Sequence, residues 1–117
     1  MLMLKHHKNL TAEKWSGFTS GKQLIMIANE LNRAKNWIVR EDQREVKLCY
    51  ERALELLCLT IACVKRHSFL RELCRFKEIL CGMFVQEAIS LQANMSLYKV
   101  LLSLSRESYS IIEMSKN

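Results

Sequence analysis

The stretch from Asp42 to Arg66, DQREVKLCYERALELLCLTIACVKR, decides the fold class. In its first half, apolar residues recur three and four positions apart, which is typical of one face of an α-helix. Its second half, from Leu56 to Val64, is apolar on almost every side. We therefore predict a helix that must be covered on several sides at its end, as the central helix of a bundle or as half of a dimer interface.

The rest of the chain has few residues that break helices. The 117 residues include no proline and three glycines, and this length suits one domain with a single core. A β-rich fold would need more turn residues. We predict an all-α protein, an antiparallel four-helix bundle over 19–117 with helices at about 20–39, 42–66, 68–92 and 94–114, preceded by a flexible basic arm over 1–18.

The predicted helix starts rest on capping residues. Ser20 with Gln23 fits a capping box, and Asp42, Ser68 and Asn94 each precede a periodic segment. Because the link before Asp42 is only two or three residues long, the first two helices should form an antiparallel hairpin. In the third helix, Gly82 would allow a close helix approach or a slight bend.

The N-terminal arm carries aromatic residues and adjacent histidines without a sustained period. Trp15 and Phe18 can dock onto the bundle, while the remainder is expected to be a solvated tail. His6 and His7 offer two metal ligands, and two ligands without a third make a poor site. We expect no metal, cofactor or catalytic site anywhere in the chain.

The net charge of +6 is unevenly distributed. One basic cluster lies at the junction of the second and third predicted helices and forms a candidate patch for polyanions: Lys65, Arg66, His67, Arg71 and Arg75. Nucleic acid or another acidic surface could bind there. The alternative is an ordinary solvated corner of the bundle, in which the cations compensate the helix C-terminus.

A second segment, from Ile79 to Val85, is also apolar on every side. In an antiparallel pair, Leu56 to Val64 would face roughly residues 70–78, so the two apolar segments do not cover one another. Helices one and four, or a partner, must cover at least one of them. The surplus apolar residues that we assign to a partner-binding surface are Ile25, Met26, Trp37, Met83 and Phe84.

The five cysteines lie within helical apolar patterns and show no C-x-x-C spacing. Such cysteines are typical of buried thiols in a reducing compartment, and we expect a cytoplasmic protein without a secretory signal or a membrane span. No histidine follows a glutamate by three residues, which excludes the common di-iron site of four-helix bundles. The phosphate-binding loop G-x-x-x-x-G-K is also absent from the sequence.

The order of these features resembles that of the flagellin-type secretion chaperones, which are small cytosolic antiparallel four-helix proteins. The resemblance rests on Thr19-Ser20 before Leu24-Ile25-Met26-Ile27, Glu41-Asp42 in the first link, Glu51-Arg52-Ala53-Leu54-Glu55-Leu56-Leu57 in the second helix, and Leu73 with Phe76 in the third. It implies a protein that holds an amphipathic partner segment along hydrophobic grooves between its helices.

The leading hypothesis is therefore a non-enzymatic, chaperone-like interaction protein. It would bind an amphipathic protein segment, or a second copy of itself as a homodimer, through the surplus apolar faces. The alternative is a nucleic-acid or acidic-surface binder that uses residues 65–77 together with the arm.

Overall fold

The computed structural model describes residues 4–104 and confirms the all-α class. The five helices are α1 (Ala12–Ser16), α2 (Ser20–Val39), α3 (Gln43–Cys63), α4 (His67–Phe84) and α5 (Leu91–Ser103). The bounds of α2 agree with the predicted 20–39. The predicted end of the last helix at 114 lies outside the described residues.

At the starts of α3 and α2, one capping prediction is confirmed and the other is wrong. Asp42 is the N-cap of α3, as predicted, and its carboxylate accepts the Glu45 N–H at 3.2 Å. The Ser20 prediction is wrong, because the Thr19 side chain caps α2 instead. The Gln23 amide, expected to complete the capping box, instead donates to the carbonyl oxygen of Trp15 at 2.8 Å.

α4 differs from its predicted range of 68–92 at both ends. It begins at His67 after Arg66, whose side chain makes no capping hydrogen bond, so the prediction of Ser68 as the cap is wrong. It ends at Phe84 because α3 holds the chain that follows. The Lys47 ammonium donates to the carbonyl oxygens of Phe84 and Gln86, where a cation stabilises a helix C-terminus.

α5 starts three residues before its predicted beginning. Ser90 is its N-cap and accepts the Ala93 N–H at 3.2 Å. Asn94, the predicted cap, is buried inside the helix. Its Nδ2 donates to the carbonyl oxygen of Leu31 at 2.9 Å, and its Oδ1 accepts the Tyr50 hydroxyl at 2.7 Å. One amide therefore joins α5 to both α2 and α3.

α2 and α3 are the most closely packed pair, α5 packs on α2, and α4 and α1 pack on α3. A second polar bridge ties α2 to α3. The buried Glu30 carboxylate accepts from Arg52 Nε at 2.7 Å and from Arg33 Nη1 at 2.6 Å. Burial opposes the charge of Arg52, but the hydrogen bond and the negative charge of Glu30, with smaller contributions from Cys49, together outweigh it and raise the pKa of Arg52.

The N-terminal region contacts α3 through Trp15, whose docking was predicted, and also through His6 and His7, for which the sequence suggests a solvated tail. Trp15, on α1, is fully buried, and its indole N–H donates to the Thr60 hydroxyl at 2.9 Å. Cys63 Sγ lies 3.6 Å from the Ala12 carbonyl oxygen. This short helix therefore covers the apolar end of α3.

Candidate functional site

One side of α4 is exposed along its whole length. Its buried stripe consists of Phe69, Leu73, Phe76 and Leu80, which point into the core. The side turned away from this stripe is exposed at every position: Arg71, Glu72, Cys74, Arg75, Glu78, Ile79, Gly82 and Val85, which follows the helix. We call these eight residues the outer face of α4. It is the candidate interaction surface.

The outer face changes character along its length. Arg71 and Arg75, one turn apart, make its beginning basic. Toward its end, the exposed fractions are 52% for Ile79 and 77% for Val85. A Cβ placed on Gly82 would meet no atom within 4 Å, so no other part of the described structure approaches the chain there. This glycine is therefore not used for a close helix approach, which the sequence left open.

The remaining members of the predicted basic cluster lie where α4 begins. Lys65, Arg66 and His67 are exposed, and the Arg66 guanidinium lies 5.6 Å from the centre of the Phe69 ring. The structure thus brings all five residues of the predicted basic cluster onto α4 and the link before it. Glu72 and Glu78 are the carboxylates on the outer face, so the surface keeps an excess of positive charge.

A pocket of about 730 Å³ opens beside the start of α4. Its described lining combines the aromatic rings of Phe18 and Phe69 with the cations Lys65 and Arg66. No carboxylate belongs to the described part of this lining. The basic cluster therefore borders a concave surface that offers apolar contacts, a combination that suits an anionic amphipathic ligand.

The five residues predicted to form an apolar surface occupy separate places. Ile25 and Met26 lie near the start of α2, whereas Trp37 is about 18 Å further along the same helix at 1.5 Å per residue. Trp37, Met83 and Phe84 are half-buried against the core. The Lys47 ammonium also lies 5.3 Å from the centre of the Phe84 ring. The freely exposed apolar residues of the outer face are instead Ile79, on α4, and Val85, which follows the helix.

A second polar cluster joins the N-terminal arm to α3. His6 Nε2 lies 3.1 Å from Glu51 Oε2, and His7 Nδ1 lies 2.7 Å from Glu55 Oε2. The backbone N–H groups of Lys5 and His6 also donate to Glu55. Partial burial works against ionisation of Glu55, but these donors outweigh it and lower the pKa of Glu55.

The sequence contained a signal for this arm that the periodicity analysis did not use. Thr11 caps α1 by accepting the Lys14 N–H at 3.1 Å, and Glu13 lies in the first turn. Threonine followed by an early acidic residue is a recognised helix start. In contrast, no local sequence pattern predicts that Glu51 and Glu55 on α3 contact His6 and His7.

The described residues show neither a membrane span nor a metal site. Among the helices within residues 4–104, none has the length and apolarity needed to cross a membrane. In the same range, no three His, Cys, Asp or Glu side chains are arranged to hold a metal ion. All five cysteines are free thiols.

Comparison with known proteins adds no relative. No protein-family model matches the chain, and neither the curated proteins nor the solved structures give a significant match. The functional assignment therefore depends on the surfaces described above.

Proposed function

We propose that this protein is an interaction module that binds an acidic amphipathic segment of another protein along the outer face of α4. The observation that supports this most is the division of that exposed face into a basic half, with Arg71 and Arg75, and an apolar half, with Ile79 and Val85. An amphipathic helix with acidic and apolar residues is complementary to such a face.

The physical roles of the two halves differ. Burial of Ile79 and Val85 would supply most of the affinity, at about 25 cal/mol per Å² of apolar surface removed from water. The exposed arginines would contribute less affinity, because surface ion pairs are worth only about 0–1 kcal/mol each. Their main effect is on association rate and orientation.

Charge also fixes the direction of the partner. Its acidic end should lie over Arg71 and Arg75, close to the pocket beside Lys65 and Arg66. Glu78 lies between the basic and apolar halves and disfavours an acidic residue opposite it. A segment with acidic residues in its first turns and apolar residues after them would therefore run parallel to α4, and a segment with the reverse order would run antiparallel.

The finer architecture belongs to the same proposal. We take α2 to α5 as an antiparallel four-helix bundle, which is supported by the contacts of Lys47 with the end of α4 and of Asn94 with Leu31. The resemblance to flagellin-type secretion chaperones agrees with an interaction role. The cytoplasmic location and the absence of enzymatic activity also stay predictions.

The binding test uses two labelled synthetic peptides, one built from leucine and glutamate with a helical period and one with lysine at every glutamate position. Fluorescence anisotropy should show that the acidic peptide binds at least about tenfold more tightly than the basic one. The double variant Arg71→Glu/Arg75→Glu should remove or invert this preference. The matched control, Lys22→Glu/Lys99→Glu, reverses two exposed cations on α2 and α5 and should leave the preference intact.

A second pair of variants tests the apolar half. Ile79→Ser/Val85→Ser should weaken binding of the acidic peptide, while Val39→Ser/Val100→Ser, two exposed apolar residues elsewhere, should not. Equal binding of both peptides, or equal effects of the two variant pairs, contradicts the proposal. A dimer in sedimentation velocity that dissociates on Ile79→Ser/Val85→Ser would assign the face to self-association instead.

Binding of nucleic acid is the competing proposal, and it is favoured by the proximity of Lys65, Arg66, Arg71 and Arg75 in the link before α4 and along α4. It predicts that heparin and single-stranded DNA bind with a steep salt dependence that Arg71→Glu/Arg75→Glu abolishes. Tight, salt-sensitive DNA binding without any preference between the two peptides would favour this function over the first.

A further inference from the structure

The pocket beside the start of α4 lies where four segments of the chain meet. It is bordered by the link from α1 to α2, by the end of α3, by the link into α4 and by Leu104 after α5. Its volume of about 730 Å³ is typical of sites that bind small molecules. None of its described lining residues belongs to the outer face of α4, so the pocket is a separate surface.

Two cations border the pocket without a carboxylate partner. Within residues 4–104, neither Lys65 nor Arg66 forms an ion pair. The Arg66 guanidinium lies 5.6 Å from the centre of the Phe69 ring, and this ring also lines the pocket. An anionic group of a ligand would therefore meet two charges that are not already neutralised by the described part of the chain.

Gln23 supplies a hydrogen-bond acceptor at the same pocket. It is only 4% exposed, and its Nε2 donates to the carbonyl oxygens of Trp15 at 2.8 Å and of Phe18 at 3.3 Å. These two bonds fix which end of the amide is the donor. No described residue donates to Gln23 Oε1, yet no fully buried polar side-chain atom in residues 4–104 lacks a partner. This oxygen therefore keeps some exposure, and since Gln23 lines the pocket it can accept a hydrogen bond from a ligand there.

Aromatic and aliphatic side chains supply the apolar part of the pocket. Phe18 is 41% exposed, and its ring packs edge-on against Trp15 with the ring centres 5.7 Å apart. Phe69, Val64 and Leu104 complete the apolar lining. An apolar group of a ligand would lose contact with water beside the fixed ring of Phe18, while its charged group stays near the cations.

A ligand that uses all three features needs an anionic group, a hydrogen-bond donor and an aromatic or branched apolar group. N-acylated apolar amino acids combine the three as a carboxylate, an amide N–H and a side chain. We propose that the pocket binds a small carboxylate of this class. The carboxylate contacts Lys65 and Arg66, the N–H donates to Gln23 Oε1, and the side chain packs on Phe18. This site does not depend on partner binding by the outer face of α4.

The test is isothermal titration calorimetry of the full chain with N-acetyl-L-phenylalanine and with three analogues that each lack one group. The carboxamide has no charge and should bind at least about tenfold more weakly. N-acetyl-N-methyl-L-phenylalanine has no N–H and should bind about fivefold more weakly. N-acetyl-L-alanine has no ring and should bind at least about tenfold more weakly. Equal affinities for the four compounds, or no binding of any, contradict the proposal.

Two variants locate the charge that is recognised. Lys65→Gln/Arg66→Gln should reduce the affinity for N-acetyl-L-phenylalanine to that for its carboxamide. The matched control, Arg71→Gln/Arg75→Gln on the outer face of α4, should leave this affinity unchanged. Because the outer-face pair governs peptide binding instead, failure of this site and failure of the proposed function appear in different variants. Equal effects of the two variants overturn the pocket assignment.

Cys63 reports where the ligand lies. It is half-buried and lines the pocket, whereas Cys58 and Cys81 are half-buried outside the described lining. Saturating N-acetyl-L-phenylalanine should slow the alkylation of Cys63 and leave that of Cys58 and Cys81 unchanged, as read by mass spectrometry. Binding without protection of Cys63 would place the ligand elsewhere. Tighter binding of an acetylated tetrapeptide that ends in phenylalanine would assign the pocket to a polypeptide C-terminus. Either result overturns the proposal.

Discussion

The apolar run from Leu56 to Val64 on α3 and the run from Ile79 to Val85 on α4 are similar in sequence but differ in their surroundings. Leu56, Leu57 and Leu59 are buried, and Trp15 from α1 reaches Thr60 between them and the helix end. In the second run, Ile79 on α4 and Val85 directly after it are mostly exposed. Apolar composition alone therefore does not tell whether a helix face is covered. Here a short helix from the N-terminal arm covers α3 at Thr60 and Cys63, whereas no described segment covers Ile79 and Val85.

The largest effect should come from removing that cover. Trp15→Ala should lower the free energy of unfolding by about 3–5 kcal/mol, because it leaves a large cavity and deprives the Thr60 hydroxyl of its donor. Ile79→Ala on α4 should change it by less than about 0.5 kcal/mol, since the side chain is half-exposed. Urea unfolding followed by circular dichroism compares the two. If Trp15→Ala and Ile79→Ala lowered the free energy of unfolding equally, the apolar run on α4 would also be covered in solution.

The next effect tests how the covered side is held together. Asn94→Ala should cost about 2–3 kcal/mol, because it leaves the buried Tyr50 hydroxyl without its acceptor and removes the bond from α5 to the Leu31 carbonyl. Ser96→Ala, at an exposed position on the same helix, serves as the control and should be near neutral. A similar unfolding midpoint for both variants would show that water can replace the hydrogen bonds of the Asn94 amide with no loss of stability.

A smaller loss is expected at the α2–α3 ion pair. Glu30→Gln removes the charge that pairs with Arg33 and Arg52 but keeps the volume of the side chain. Because both arginines are partly exposed, we expect about 1–2 kcal/mol rather than the larger loss typical of fully buried pairs. Glu87→Gln, in the exposed link after α4, is the control in the same urea titration. A loss of more than about 2 kcal/mol would indicate that the ion pairs of Glu30 are more fully shielded from water.

The smallest effect, a gain in stability, should appear on the open face. Gly82→Ala should raise the free energy of unfolding by about 0.5–1 kcal/mol, because alanine favours the helix and its Cβ meets no neighbour. At Gly17, a Cβ would lie 3.2 Å from the Lys14 carbonyl oxygen, so Gly17→Ala should bring no gain. In thermal unfolding, the Tm of Gly82→Ala should be a few degrees higher than that of Gly17→Ala. A loss at Gly82 would reveal a neighbour on the outer face.

Much of the fold was predictable from local patterns. The 3- and 4-residue spacing of apolar residues gave the all-α class, and Asp42 gave the start of α3. The end of α4 was not predictable, because it depends on Lys47 and Gln43, which bind the backbone of residues 84–89 from another helix. Asn94 was predicted to be an N-cap, but its side-chain amide instead hydrogen-bonds to Tyr50 inside the core.

The candidate site was predictable in part. The basic cluster was predicted from the distribution of charge alone. Its residues lie together because they are close in sequence, in one link and the helix that follows it. Within the apolar segment Ile79 to Val85, the sequence pointed to Met83 and Phe84. Only the tertiary packing shows that Ile79 and Val85 are the exposed members. Contacts between the arm and α3 join residues about 50 positions apart, and no local pattern encodes them.

The most direct test of the open α4 face is the alkylation rate of individual cysteines in the native protein, read by mass spectrometry. Cys74 lies on that face and should react fastest, and the acidic peptide should slow it. Cys49 is buried, and burial raises the pKa of its thiol, so it should react only through unfolding. A Cys74 that reacts as slowly as Cys49 in the free protein would contradict the account, because the outer face of α4 would then already be covered.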